Sequence, residues 1–266
     1  MNVINISVLL PTRGRKEPLL KCLDSLLENA KDNTNIEVLL GVDTDDTEVI
    51  EYVETVIIPK YYQVTMYLFK QLGYEKLNMY YNTLANLAYG KWLFVFNDDV
   101  ILETQDWDNV IYKYESHPMP LLRVNVRNMD HPFALFPIIK KEMIEVMGQL
   151  SPYSHIDRFL YNCATNICNG IVIDIPVDVI HDRFDITGAN NDETFKNSIS
   201  TYAKTEGNPL DPANDDYPTQ HQYMLMLVNR LRQHINNKYN YAIPLIDLSK
   251  PVQVIKKTTA SHGCAK

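Results

Sequence analysis

The chain has 266 residues, of which 45% are hydrophobic and 22% charged, the balance of a globular protein with room for one sizeable α/β core. The net charge of −8 argues against a nucleic-acid partner, whose phosphates want a basic face. No apolar run approaches the roughly 20 residues of a membrane span.

Four scattered cysteines, Cys22, Cys163, Cys168 and Cys264, form no C-x-x-C pair and suit free thiols in a reducing compartment. Met1-Asn2-Val3-Ile4-Asn5 lacks the basic stretch of a signal peptide, so a cytoplasmic location is expected.

Ile6 to Leu10 reads as a buried strand running into the polar, basic loop Pro11-Thr12-Arg13-Gly14-Arg15. Pro18 opens a helix where its missing N–H costs little, and Leu19, Leu20, Leu23, Leu26 and Leu27 share one face. Ile36 to Val42 is a second buried strand, ending in Asp43-Thr44-Asp45-Asp46, so the first 46 residues make a βαβ unit. Thr47 to Glu54 reads as a short helix and Val56 to Phe69 as one or two strands. After Gly73-Tyr74-Glu75-Lys76 comes a helix with Leu77, Tyr81, Leu84 and Ala88 on one face and Asn82 close to it, capped by Gly90.

Trp92 to Phe96 is then a continuous apolar run, too short for a helix and rich in aromatics, as in a strand buried on both faces. It stops at Asn97-Asp98-Asp99. The carboxyl edge of an open α/β sheet is where ligands bind. Two adjacent carboxylates there are either a solvated Asx-type turn or, neutralised by a cation, hard oxygen ligands for Mg²⁺ or Mn²⁺.

Asp106 to Ser116 reads as helix, Leu121 to Val126 and Phe133 to Pro137 as strands, and Lys140 to Met147 as a helix stopped by Gly148. Ile156, Phe159, Leu160, Cys163, Ala164 and Ile167 line an amphipathic helix with Asp157 in its first turn. Ile171 to Ile180, interrupted by Asp174, Pro176 and Asp178, reads as an edge strand leading into His181-Asp182-Arg183. A helix near Glu193 to Lys204, a proline-rich loop from Asn208 to Pro218, a long helix from Gln220 to Asn237 and a polar tail from Lys256 complete the chain.

In this order the motifs resemble those of inverting glycosyltransferases of the GT-A fold, closest to the glycosyltransferase family 2 group and its small phage and bacterial members. The matching residues are Val8 to Arg15, then Leu39-Leu40-Gly41-Val42-Asp43, then Lys76 and Asn82, with Asn97-Asp98-Asp99 in the D-x-D position. Ser154-His155-Ile156-Asp157 stands where the family has its acidic acceptor-site motif, and Val179-Ile180-His181 is similar to the strand that ends in a metal-binding His. Asn191-Asp192-Glu193-Thr194-Phe195 looks like a segment common in phage-type members. Two departures are visible: Asn97 replaces the first Asp of D-x-D, and Thr44-Asp45-Asp46 replaces the usual Gly/Ser after Asp43.

The resemblance implies a mixed, mostly parallel central sheet flanked by helices. It places a GT-A domain over residues 1–204, with a nucleotide-sugar-binding half to residue 100 and an acceptor half beyond, and a helical extension over 205–266. It implies a nucleotide-sugar donor held by Pro11, Thr12, Arg13, Arg15, Asp43, Lys76, Asn82, Asn97 and Asp98. Mn²⁺ or Mg²⁺ would be bound by Asp99 and His181, and Asp157 would be the general base toward a hydroxyl acceptor of unspecified kind. The uracil imide N–H is the expected partner of Asp43, and Arg13, Arg15 and Lys76 would lend charge to the diphosphate. Three other readings compete. One is a non-catalytic sugar- or nucleotide-binding module, one a nucleotidyltransferase, and one a phage enzyme that glycosylates modified DNA bases.

Overall fold

The buried apolar runs near the start of the chain lie side by side in one sheet, and the rest is built outward from them. The computed structural model describes residues 4–168, 171–189, 192, 195–196 and 217–249. Strand β1 (Ile6–Thr12) pairs in parallel with β2 (Ile36–Asp43), setting Val8 opposite Val38 and Leu10 opposite Leu40. Between them α1 (Lys16–Glu28) buries Leu19, Cys22, Leu23, Leu26 and Leu27. Strand β3 (Val64–Phe69) extends the sheet beyond β2, and β4 (Trp92–Val95) flanks β1 on its other side, both in parallel.

Past β4 the direction changes. Strand β7 (Pro137–Lys140) runs antiparallel both to β4 and to β6 (Leu121–Val126). Strand β8 (Val172–His181) is parallel to β6, and the short β5 (Val100–Leu102) closes the edge antiparallel to β8. The order is β3-β2-β1-β4-β7-β6-β8-β5. Strand β5 thus follows β4 in sequence yet lies four strand positions away. Four strand spacings in a flat sheet span about 19 Å, while five residue steps reach at most about 18 Å even when fully extended. Because Asp98 and Asp99 form a turn, the sheet must curl to bring β5 back toward β4.

Alternation along the strands sorts the side chains into two cores. Val8, Leu10, Val38, Leu40 and Phe94 face α1 on one side. Leu9, Leu39, Leu93 and Val95 face the other, where α4 (Leu77–Leu87), α6 (Lys141–Met147) and α7 (Ile156–Ile167) pack. Helix α9 (Tyr217–Tyr239) buries Met224, Leu227, Val228, Leu231 and Ile235 in this same second core, against α6 and α7.

Several elements differ from the sequence reading. Helix α2 (Thr47–Tyr52) continues through a π-helical turn, Val53–Ile57, into α3 (Ile58–Lys60), so only the end of 56–69 is a strand. Val49, Val53 and Ile57 are all fully buried, and this four-residue spacing keeps the segment helical. The helix expected over 106–116 is confined to α5 (Trp107–Tyr112), and the strand expected over 133–137 begins only at Pro137. Gly90 caps no helix, since α4 ends at Leu87. Its N–H donates to Ser7 Oγ at 2.7 Å, and a Cβ there would stand 2.5 Å from that oxygen, so the position needs glycine for close approach.

Strand β8 is interior, not an edge. Pro176 sits where the β6–β8 register shifts, between the pairs Arg123–Asp174 and Asn125–Asp178, so the irregularity spares the ladder a missing donor. A short helix, α8 (Phe184–Thr187), follows. The helix expected near 193–204 lies outside the described residues apart from 195–196, as do the tail from 256 and most of the loop 208–218. No described helix is long and apolar enough to cross a membrane.

Candidate functional site

The carboxyl ends of β1, β2 and β4 open into one cleft of about 1040 Å³, mouth included, which is lined on its far side by His181 and Arg183. Its centre is the turn after β4. Arg15 enters from the β1 loop and is buried, with Nη1 at 2.9 Å from both Asp98 Oδ1 and Asp99 Oδ2. Its other edge forks onto Asp192, Nε to Oδ2 at 2.5 Å and Nη2 to Oδ1 at 3.1 Å. Burial works against this guanidinium charge, but Asp98, Asp192 and Asp99 together raise its pKa. Thr12 donates to Asp98 Oδ2 at 2.6 Å, so both oxygens of Asp98 are engaged. Burial still pushes the Asp98 carboxyl up to about 6, with the charge of Asp99 adding to it.

His181 reaches Asp99 through backbone pairing. The β5–β8 ladder sets Val100 opposite His181, and the Asp182 N–H donates to the Asp99 carbonyl at 2.7 Å. Asn128 clasps the His181 backbone from the other side, accepting from its N–H at 3.1 Å and donating to its carbonyl at 2.9 Å. Phe136 packs edge-on against the imidazole. The result is His181 Nε2 3.2 Å from Asp99 Oδ1. Both atoms are buried, and beyond each other neither has a hydrogen-bond partner. Burial would raise Asp99, but His181 and Arg15 outweigh it and hold the carboxyl below its ordinary range.

A buried carboxylate oxygen and a buried imidazole nitrogen that have only each other fit the ligand chemistry of a divalent cation. Among the described residues no three His, Cys, Asp or Glu side chains converge, so such an ion would draw its remaining ligands from water or phosphate.

At the β2 end of the cleft, Asp43 is buried and accepts from Tyr80 Oη and, at 2.9 Å, from Arg13 Nη1. Arg13 also forks onto Asp45 at 2.7 and 2.8 Å. The Asp45 hydrogen bond leads the effects that raise the Arg13 pKa. The helix-capping role near this loop belongs to Asp46, which accepts from Val49 N at 3.4 Å, and Asp43 is left facing the cleft with Pro11, Tyr74 and Leu77. Asn97 lines the cleft as well, with its Oδ1 2.9 Å from the Tyr81 hydroxyl.

Two residues expected in the donor site lie elsewhere. The Asn82 carbonyl accepts from Leu150 N at 2.7 Å and Ser151 N at 3.0 Å, while its amide donates to Ser151 O at 2.7 Å. It ties α4 to the loop before α7 and does not line the cleft. Lys76 is likewise absent from the lining.

Asp157, in the first turn of α7, has its carboxyl pushed up to about 6 by burial. Its charge, with those of Asp98 and Asp99, bears on the Tyr81 hydroxyl, whose pKa burial already lifts well above normal. Asp157 is not among the residues that line the cleft, but its charge reaches Tyr81, which is. Sequence reading missed Tyr80, Arg183 and the anchoring role of Asp192. Tyr80 stands next to the recognised face residue Tyr81, while Asp192 meets Arg15 across 177 positions, with no local signal.

A curled mixed sheet with a nucleotide-fold half and an acidic turn after its central strand defines a GT-A protein. Residues 7–138 match the family model described as glycosyl transferase family 2, so the chain carries a glycosyltransferase domain of family-2 type. Among solved structures, S. aureus TarS 1-349 superposes with a TM-score of 0.54 at 10% identity, covering 88% of this chain and 74% of that one. A mannosyltransferase from Pyrobaculum calidifontis, PcManGT, solved with GDP-Man and Mn²⁺, gives a TM-score of 0.55 at 12% identity, over 92% and 77% of the chains. TarS 1-349 with UDP-GlcNAc gives 0.50 at 13% identity, over 88% and 74%. No curated protein sequence matches.

Proposed function

We propose that this protein transfers a sugar from a nucleotide sugar, a UDP-sugar in the first instance, to a hydroxyl acceptor with inversion and with the aid of a divalent cation. The observation that carries the reading is the buried Asp99–His181 pair at 3.2 Å in the same cleft as the buried Asp43 carboxylate. Asp43 at the β2 end accepts from the base, which the uracil imide N–H suits. Asp99 and His181 would hold the ion, which when bound would supply Lewis-acid stabilisation of the negative charge on the diphosphate. Arg15 adds cationic charge at the same place once the diphosphate competes with Asp192 and Asp98 for its donors.

Asp157 receives the proton of the acceptor hydroxyl as that oxygen attacks the anomeric carbon and the nucleoside diphosphate leaves from the opposite face. A carboxyl near 6 is ionised at neutral pH and is a stronger base than a solvated aspartate. The nucleotide-sugar complexes of the superposed structures, UDP-GlcNAc and GDP-Man, support a donor of this class.

Thermal-shift measurements with UDP and GDP, each with and without Mn²⁺, test the donor site. Stabilisation by UDP that grows with Mn²⁺ is expected, since a ligand bound only to the folded state raises its stability. If no nucleoside diphosphate moves the melting temperature under any condition, the reading is wrong. The pairing of Arg15 with both carboxylates favours a second reading, a binding module of the same fold. Slow metal-dependent hydrolysis of UDP-GlcNAc distinguishes the enzyme from it.

A further inference from the structure

Arg158 follows Asp157 in the first turn of α7, and its side chain, unlike those of the arginines that line the cleft, has no carboxylate partner among the described residues. Arg13 is matched to Asp43 and Asp45, Arg15 to Asp98, Asp99 and Asp192, and Arg183 to Asp185 at 2.6 and 2.7 Å. The Arg158 side chain has no ion pair and no hydrogen bond among the described residues, and its Nε is buried without a partner. Asp157, one position away, accepts from the Arg158 backbone N–H and feels its charge, but no ion pair joins the two side chains.

What holds Arg158 is an aromatic platform. Its guanidinium carbon lies 5.0 Å from the centre of the Phe133 ring, and Phe133 is braced edge-on by His131 at 5.3 Å and Tyr161 at 5.7 Å. Stacking of this kind fixes the plane of the guanidinium and leaves its N–H fork directed at whatever lies in that plane. A guanidinium has five donors and cannot shed its proton, so a buried and unmet Nε–H is a place for an acceptor oxygen.

The platform and the cleft are linked through charge. His131 feels the charge of Arg158 and also that of His181 and Arg183, which line the far wall. Burial, against the hydrogen bond from the Phe133 N–H and with the help of these charges, holds the His131 pKa below its usual value, so the neutral ring is favoured and still offers one N–H. Arg158 is therefore within electrostatic reach of the ring that also feels the far wall of the cleft, and it is next in the chain to Asp157.

We propose that Arg158, stacked on Phe133 beside His131, docks an oxyanion carried by the acceptor, so that the acceptor is an acidic molecule bearing a phosphate or carboxylate near the hydroxyl that is glycosylated. This rests on the reading of Asp157 as the base that faces that acceptor. Binding energy from the anion would then hold the neighbouring hydroxyl against Asp157, as remote contacts do in positioning a reacting group.

The full chain, saturated with UDP and Mg²⁺ to block the donor cleft, is titrated with inorganic phosphate, with glucuronate and with glucose as the neutral control. The Arg158 Nε–H resonance, assigned by its loss in R158Q, is followed by ¹H–¹⁵N NMR. Saturable movement with phosphate, glucuronate or both, and none with glucose, is expected, and whichever anion acts names the acidic group. R158Q should weaken anion binding about tenfold or more, and R158K should fall between, because it keeps the charge and loses the fork. Both should bind UDP as the wild type does. An Arg158 resonance unmoved by either anion up to about 50 mM, a range that would miss only very weak sites, overturns the proposal, as does equal anion affinity in R158Q. If UDP itself fails to bind, the donor reading falls, while the same titration on the UDP-free chain still decides the Arg158 site.

Discussion

Asp157→Asn separates a carboxylate kept for chemistry from one kept for folding. In the folded chain the Asp157 carboxyl stands at about 6 against an ordinary 3.8, and burial is the first cause. The difference is about two pH units, and at about 1.4 kcal/mol per unit its upper bound is about 3 kcal/mol. Asp157 is only partly buried, so screening by solvent trims this to about 1–3 kcal/mol. Because the folded-state value lies above the unfolded one, protonation stabilises the fold. That contribution is fully present below pH 3.8 and is lost as pH rises through about 6. The asparagine variant escapes this loss.

At pH 8 the variant should therefore be more stable than wild type and melt roughly 2–10 °C higher. Near pH 4 the two curves should nearly coincide. Transfer, or donor hydrolysis in the absence of an acceptor, should fall by about 10²–10⁴-fold in the same variant if the carboxylate is the base. Melting by fluorimetry at half-unit pH steps from 4 to 8 is sufficient for the stability arm. A variant that is less stable than wild type at pH 8, or a difference that does not change with pH, would show that Asp157 serves the fold and that its burial carries no functional charge.

Other outcomes follow from neighbouring contacts. Arg15→Gln leaves Asp98 and Asp99 buried without their cation, and breaking such an arrangement costs about 3–5 kcal/mol; chemical denaturation should show this loss, and added Mn²⁺ should recover part of it. Asp99→Ala and His181→Ala should each remove the Mn²⁺ dependence of UDP binding in calorimetry, and the fold should survive in Asp99→Ala because Arg15 keeps Asp98 and Asp192. Asn82→Ala should cost about 1–3 kcal/mol through the groups it leaves unpaired at Leu150 and Ser151, with UDP affinity unchanged.

The parts of the molecule that could be read from sequence are those whose signal is local. Val8, Val38 and Phe94 sit in short apolar runs, and such runs announce buried strands wherever they pair. Arg15 was legible in the loop after β1, which does reach the cleft, but not as a buried residue, because its three carboxylate partners come from distant positions. Pro176 misled for a physical reason: a proline demotes a strand to an edge only if the ladder needs its N–H, and here a register shift falls at that point. Asn82 was given to the donor site by the resemblance alone, and here its amide is the fastener of a loop. The pairing of His181 with Asp99 followed motif order, whereas its cause, a three-residue ladder between β5 and β8, could be seen only in the fold.

The curl of the sheet makes the acidic turn a measured length of chain. Residues 96–99 leave β4 and must arrive at β5 with Val100 opposite His181 and Leu102 opposite Val179. Both Val100 and Leu102 are buried, with the intermediate Ile101 turned the other way. One residue added between Asp98 and Asp99 would either slide β5 by one position, exchanging its inner and outer side chains, or bulge the turn and draw Asp99 off the imidazole. The two strands thus act as a gauge for the segment between them. Substitutions in the turn change its chemistry and leave its reach alone, whereas an insertion of a single glycine would dismantle the site with every one of its residues still present.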